Sequence, residues 1–288
     1  MNRSFLFVPA DSERKMKKAG DTGADALILD LEDAVAPEAR PEARLMASEY
    51  LQGRQNVWVR INALDSEDSA ADLEAVIPAR PAGIVLPKAR RAADAVALSR
   101  CINELEQQSG IERGQTRIIV LCTERPEALF TLHGYVDATK RLFGLSWGAE
   151  DLSVAVGASA NRDEQGNWLP IFEMARSLCL LAAAAAEVTA IDTVFTDFRD
   201  HEGLLRYAAN ARRDGFSGML AIHPAQVDVI NAAFEPSPAE IDRAERIVEL
   251  FEANPGAGTI GLDGKMIDRP HLIQARRLLE RRKHTRNQ

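Results

Sequence analysis

No stretch of the chain approaches the roughly 18 uncharged apolar residues that a membrane-spanning helix requires. The most apolar run, Leu178–Ala186, is half that length. The N-terminal apolar run, Phe5 to Ala10, is flanked by charge and is too short for the core of a signal peptide. Cysteine is scarce: Cys101, Cys122 and Cys179 are an odd number at wide spacing with no CxxC. That pattern fits neither a disulfide framework nor a zinc cluster, and each cysteine reads as a small buried residue in a reducing compartment. The expected location is therefore cytoplasmic. A basic surplus is also missing, since 35 Lys and Arg face 43 Asp and Glu, a formal charge of -8. Nucleic acid and anionic membranes both call for basic surface, so neither is an expected partner. A local basic pocket for a phosphorylated small molecule stays compatible with that balance. GxGxxG, P-loop, GxSxG and HExxH patterns are absent, which disfavours dinucleotide, NTP, covalent-hydrolase and zincin chemistry.

What is present is a globular chain of 288 residues, 46% apolar and 27% charged. That is close to the roughly 250 residues of one (β/α)8 barrel. Short apolar runs without strict alternation recur at Phe5–Val8, Ala26–Leu31, Val57–Ile61, Gly83–Leu86, Arg117–Leu121, Arg141–Leu145, Ala190–Thr193 and Gly218–Ala221. Such runs suit parallel strands buried on both faces. Helical spacing fills Ser12–Gly23, Glu38–Leu51, Ala92–Gln108, Ile171–Glu187, His201–Arg213 and Ala225–Ala233. Eight strands alternating with helices predict an α/β fold, a (β/α)8 TIM barrel over residues 1–235. Residues 236–288 form a C-terminal helical extension: a helix capped by Ser237, a Gly-rich stretch with Asp263-Gly264, and a basic helix from about Pro270 to Lys283. The extension reads equally as a lid or exchanged arm and as a segment packed on its own barrel.

In a barrel of this kind chemistry sits at the C-terminal strand ends. Asp30-Leu-Glu32-Asp33 follows strand 2, Arg60 and Asn62 strand 3, Pro87-Lys88 strand 4, and Thr123-Glu124-Arg125 strand 5. Gly144 to Asp151 follows strand 6, Asp197 strand 7 and His223-Pro224 strand 8. Carboxylates at several ends around an arginine suggest a hard cation with oxygen ligands, for which Mg²⁺ is the natural candidate. Glu124 and Asp151 close adjacent strands and would converge on one ion; singly, each acid reads as readily as a helix cap or ion-pair partner. Asp30 and Glu32 share a strand face while Asp33 is expected to point elsewhere. Arg60 is either a salt-bridge partner of these acids or a fixed cation for a reacting oxygen. The small residues from Gly144 to Ala149 would let backbone N–H groups approach an anion.

Helix 1 opens with Arg14-Lys15-Met16-Lys17-Lys18, which would suit phosphates but reads more commonly as a solvated face. The histidines at 133, 201, 223, 271 and 284 are scattered, and His223-Pro224 reads as structural. Lys88 is a minor candidate for a Schiff base, which would leave the carboxylates unexplained.

In order along the chain stand Arg3-Ser-Phe-Leu-Phe-Val-Pro9, Asp30-Leu-Glu-Asp-Ala-Val35, Val59-Arg-Ile-Asn62 and Val85-Leu-Pro-Lys88. Phe143-Gly144, Glu150-Asp-Leu152, Gly215-Phe-Ser-Gly218, Ile222-His-Pro-Ala-Gln226, Ala233-Phe-Glu-Pro236 and Asp263-Gly-Lys-Met-Ile-Asp-Arg-Pro270 follow. Together they resemble the citrate lyase β-subunit-like CoA ester lyases, relatives of the malyl-CoA and citramalyl-CoA lyases, over nearly the whole chain. The resemblance implies a TIM barrel that uses Mg²⁺ to cleave a 3-hydroxyacyl-CoA of citramalyl, malyl or citryl type into acetyl-CoA and a 2-keto acid. It implies Glu124 and Asp151 as metal ligands and Arg60 as the catalytic arginine over the thioester oxygen. Glu32 and Asp33 would hold waters or Arg60, and Asp268, from a neighbouring subunit, would complete the site. The acyl-CoA and keto acid would be held by Arg3, Arg14, Lys18, Arg60, Gly148, Ala149 and Glu124. A homotrimer or higher homo-oligomer follows if the C-terminal segment reaches a neighbour. A malyl-CoA-type thioesterase, or a citrate lyase β subunit acting on an acyl-carrier-protein thioester, are the alternatives. Two positions depart from the family pattern: Ala10, where glycine is usual after Val-Pro, and Arg125 after Glu124.

Overall fold

A computed structural model describes residues 2–285, with side chains through residue 280. Eight parallel strands close into one barrel in sequence order. They are β1 (Ser4–Pro9), β2 (Ala26–Asp30), β3 (Val57–Arg60), β4 (Gly83–Leu86), β5 (Arg117–Leu121), β6 (Leu142–Ser146), β7 (Thr189–Asp192) and β8 (Gly218–Ala221). The intervening helices are α1 (Glu13–Gly20), α2 (Arg40–Leu51), α3 (Asp68–Val76), α4 (Ala92–Gln108), α5 (Pro126–Leu129), α6 (Ala149–Val156), α7 (Pro170–Ala185) and α8 (His201–Asp214). The short apolar runs become strands because both faces are covered, the inner by the opposite strands and the outer by helices. The (β/α)8 barrel expected from the alternation is the fold observed.

The barrel interior shows why the mouth is polar. Phe5, Ala26, Ile28, Trp58, Val85, Ile119, Leu121, Ile191 and Leu220 form one buried cluster. Inward residues recur every second position, so on β2 the row Ala26, Ile28 continues to Asp30, and on β3 Trp58 is followed by Arg60. Register sets Asp30 opposite Arg60 across β2 and β3. An acid and a base thus stand side by side on top of an apolar core.

The sequence pattern missed α3, the four-residue α5, α6 and a C-terminal hairpin. Helix α3 carries Asp72 inward, fully buried and bound by Arg44, so its apolar face is interrupted. Gly144 to Ser146 end β6 and Ala149 opens α6, so the small-residue loop expected over Gly144–Ala149 shrinks to Trp147-Gly148. The Gly-rich stretch near the C-terminus contains a hairpin, β9 (Thr259–Leu262) with β10 (Lys265–Asp268). Its turn, Asp263-Gly264, has φ of 51° and 74°, the left-handed pair that favours Asp-Gly in a tight hairpin. That dipeptide was the available signal.

The chain divides after Asn231, within α9 (Val227–Phe234), into a barrel unit and a C-terminal unit. The latter holds α10 (Pro238–Ala253), the hairpin and α11 (Arg269–Thr285). Ser237 caps α10: its hydroxyl accepts the Glu240 N–H at 3.3 Å and the Glu240 carboxylate accepts the Ser237 N–H at 2.9 Å. Ala244, Ile247, Phe251, Leu262, Ile267 and Ala275 form this unit's own core.

One buried ion pair ties α4 to the barrel. Arg141, expected as a strand residue, lies just before β6 and donates to Glu106 and to the Thr116 carbonyl at 2.7 Å. Burial opposes ionisation of Glu106, but Arg141 and the N–H groups of Thr116 and Gly114 outweigh it and hold the carboxyl down to about 2. The unfolded chain therefore takes up this proton first as pH falls. The stabilisation is complete above the ordinary carboxylate value of 4.5 and is lost as pH drops toward 2. Glu106→Gln is expected to cost on the order of 3 kcal/mol at neutral pH, because it strands a buried arginine. Its melting temperature should also fall less steeply than wild type below about pH 4.5, in thermal melts across pH.

Candidate active site

Asp30 organises the mouth of the barrel. Its Oδ1 accepts Arg60 Nε at 2.7 Å and its Oδ2 accepts Arg60 Nη2 at 2.6 Å, a bidentate fork. The same two oxygens accept the N–H groups of Glu32 at 3.0 Å and Ala34 at 3.2 Å, which folds the segment after β2 into a turn. Because the strand ends at Asp30, alternation no longer applies beyond it. Asp33 therefore does not point away as expected: its carboxylate lies 3.5 Å from Arg60 and 3.0 Å from Lys88 Nζ, beside Glu32. Arg60 Nη1 also meets Glu32 at 3.2 Å, and its guanidinium lies over the Phe7 ring at 4.7 Å. Burial alone would lower its proton affinity, but Asp30, Glu32 and Asp33 together raise it. Arg60 is thus a permanent cation held in one orientation.

The sequence placed Lys88 at the end of β4 but did not reveal its partners. Its backbone adopts φ of 52°, a left-handed conformation unusual outside glycine. That conformation accompanies a backbone N–H donated to Glu124 Oε2 at 2.5 Å and an ammonium 2.6 Å from Glu32. The ammonium also lies 3.5 Å from Asp151. Burial would lower the Lys88 value, yet Glu32, Asp33 and Asp151 raise it instead. A lysine so charged is a poor Schiff-base nucleophile, and that minor candidate is set aside.

Glu124 and Asp151 carry the charge left over. Glu124 is only 4% exposed, and its carboxyl is pushed up to about 8, first by burial and second by the Asp151 charge. Five carboxylates (Asp30, Glu32, Asp33, Glu124, Asp151) thus share this network with two cations, Arg60 and Lys88. Among the described residues no three His, Cys, Asp or Glu side chains are grouped as a metal cage. Two neighbouring carboxyl groups, one buried and raised by the charge of the other, fit Mg²⁺, which keeps several positions for water and substrate oxygens. They border a cavity of about 360 Å³ whose apolar wall includes Phe7, Leu121, Trp147, Val194 and Leu220. Gly148 and Ala149 line the same cavity. A Cβ on Gly148 would stand 2.5 Å from Glu124 Cγ, so only glycine lets the loop close over this carboxylate.

The remaining predicted residues are not gathered here. Arg3 precedes β1, at the opposite end of the barrel, in an ion pair with Asp25 at 2.9 Å. The structure therefore removes it from the set of CoA contacts. Arg14 and Lys18 are exposed on α1, which follows the C-terminal end of β1. Asp268 ends β10 in the C-terminal unit, against His271. Arg125 turns to Asp65, at 3.0 Å. The buried Ala10 N–H donates to the Asp30 carbonyl at 3.0 Å. His223 is structural: its Nδ1 accepts the Ala225 N–H at 3.1 Å and its ring stacks on Phe198.

The profile of the HpcH/HpaI aldolase/citrate lyase family matches residues 3–224. The chain belongs to this family. It is therefore an enzyme of a lyase family. A (3S)-malyl-CoA thioesterase of Cereibacter sphaeroides is 36% identical over 283 residues, 96% of this chain and 93% of the relative. A citrate lyase β subunit of Escherichia coli is 36% identical over 285 residues, covering 97% and 92%. The crystal structure of CitE from Mycobacterium tuberculosis, in complex with magnesium, acetoacetate and coenzyme A, superposes with a TM-score of 0.84. It shares 33% identity and covers 97% of both chains. The family frame and the charge surplus around Glu124 point the same way. Gly148→Ala is expected to weaken Mg²⁺ or Mn²⁺ binding by about tenfold or more, read by calorimetry, because the new methyl displaces Glu124. Thermal stability should change little by comparison.

Proposed function

We propose that the chain is a Mg²⁺-dependent carbon–carbon lyase that cleaves a 3-hydroxyacyl-CoA of malyl, citramalyl or citryl type into acetyl-CoA and a 2-keto acid. The observation that carries this reading is the cavity in which a fixed Arg60 stands near Glu124, a buried carboxyl pushed up by burial and by Asp151. Held by Glu124 and Asp151, Mg²⁺ would supply Lewis-acid activation of the substrate's hydroxyl and carboxylate oxygens. Arg60 would lie over the thioester oxygen. When the carbon–carbon bond breaks, its electron pair passes into the acetyl-CoA enolate, and Arg60 stabilises the charge on that oxygen, worth a few kcal/mol. Asp30, Glu32 and Asp33 keep Arg60 oriented, so its alignment needs no rearrangement at the moment of reaction. Asp268, from a neighbouring subunit, would protonate the enolate carbon. Arg14 and Lys18 would meet CoA phosphates, and the N–H groups of Gly148 and Ala149 the keto-acid carboxylate. The apolar wall lowers the local dielectric and strengthens each of these interactions.

A second reading has a specific support: relatives matched over 96% of the chain are named malyl-CoA thioesterases. The same arginine would then stabilise the oxyanion of thioester hydrolysis. A third assigns the chain to a citrate lyase complex, as the β-subunit relatives suggest. Incubating malyl-, citramalyl- and citryl-CoA with the enzyme and Mg²⁺ separates these readings by product. Acetyl-CoA with a keto acid supports the lyase, free CoA the thioesterase, and inertness toward all free CoA esters the complex.

Glu124→Gln and Asp151→Asn are each expected to reduce metal-dependent turnover by about a thousandfold or more while the fold melts cooperatively. Full activity of the wild type after exhaustive chelation would overturn the metal assignment.

A further inference from the structure

Strand β10 runs into α11 without a loop. Asp268 is the last residue of the strand and His271 lies in the first turn of the helix. Pro270, between them, pre-sets the backbone for a helix start. Three residues apart at this junction, the two side chains meet: His271 Nδ1 lies 2.5 Å from Asp268 Oδ1. The Asp268 backbone N–H also points at Nδ1, at 3.2 Å. At that distance the two side chains are hydrogen-bonded, and which of them donates depends on the imidazole tautomer. Both side chains are partly open, Asp268 35% and His271 44% exposed.

We infer that Asp268 and His271 share one proton and act as a single proton-handling pair, in which His271 restores to Asp268 the proton that Asp268 delivers to the substrate carbon. The inference rests on the role given to Asp268 above. An aspartate by itself is almost wholly ionised at neutral pH and makes a poor acid, whereas imidazole is the side chain that titrates in that range. The contact gives Asp268 a neighbour from which a delivered proton can be replaced. In the cleavage direction the shared proton moves to the enolate carbon, and the enolate's electron pair forms the new C–H bond. The pair, now one proton short, regains it from water through the exposed imidazole. The substrate hydroxyl releases one proton in the same turnover, so the count closes. In the condensation direction the pair runs in reverse, and Asp268 takes a proton from the acetyl-CoA methyl group. His271 does not touch the reacting atoms; it is a positioning and relay residue acting through Asp268.

The charge around the pair is simple. On the facing strand Asp268 lies opposite Thr259, which is uncharged. Arg243 and Arg246 of α10 are engaged by Asp263 at the far end of the hairpin. Glu252 of α10 lines a groove with Arg269 and Arg276 of α11. No other histidine stands on the described part of β9, β10 or α10.

The test uses the full-length enzyme with Mg²⁺ and whichever of malyl-, citramalyl- or citryl-CoA the wild type cleaves. His271→Gln keeps a polar side chain of similar reach but cannot titrate. Its kcat should fall about 10- to 100-fold, with KM changed less than about twofold. The limb of the pH profile belonging to the pair should vanish, and deuterium washout from methyl-deuterated acetyl-CoA should slow in parallel. His271→Ala should regain at least several-fold activity with added imidazole, which Asp268→Asn should not. Wild-type kcat and pH profile in His271→Gln, or no imidazole rescue of His271→Ala, would overturn the inference even if Asp268→Asn is inactive. Full activity of Asp268→Asn would instead remove Asp268 from the reaction, and the functional reading of the C-terminal segment with it.

Discussion

The bidentate pair between Asp30 and Arg60 is the interaction on which the site depends. Two neighbouring parallel strands place these residues opposite one another, both facing into the barrel, where neither ion would be tolerated alone. The pair resolves that problem and leaves Nη1 to Glu32 and Asp33, with Arg60 in the cavity lining. Asp30 spends its remaining acceptor capacity on the turn that follows β2, and that turn delivers Glu32 and Asp33 to the same arginine. A single buried carboxylate therefore sets the geometry of a cation and of two further acids.

The same logic of unequal neutralisation separates the roles of the carboxylates. Asp30, Glu32 and Asp33 are met by Arg60 and Lys88. Glu124 receives a backbone N–H and faces Asp151, so burial and repulsion raise it together. Chemically similar groups a few ångströms apart thus divide into a set that orients a cation and a set that would welcome one. The left-handed backbone of Lys88 joins the two sets, since its N–H and its ammonium serve different carboxylates.

The C-terminal unit builds its own chemistry by the most local means available. A strand passing directly into a helix brings residues i and i+3 together, and its small apolar core holds the hairpin on which Asp268 stands. That arrangement needs no contact with distant sequence. It nevertheless escaped a reading of motifs, because a lone histidine after proline carries no signature.

The strand runs, the order of barrel elements, the Ser237 cap and the acids and arginine at strand ends followed from the sequence alone. Burial on both faces leaves a short apolar imprint that repeats eight times, and a cap needs only its own few residues. Glu124 and Asp151 were candidates by their strand-end positions, and the family motifs added Asp268. Which acids are neutralised was decided only in three dimensions. Asp33 joined the cluster because the strand stops at Asp30, Lys88 because its backbone turns left-handed, and Arg3 fell away because it lies at the other mouth. These outcomes depend on strand register, on where a strand ends and on distances between residues 30 to 60 positions apart. Alternation along one strand encodes none of them, whereas the closed barrel imposes all of them at once.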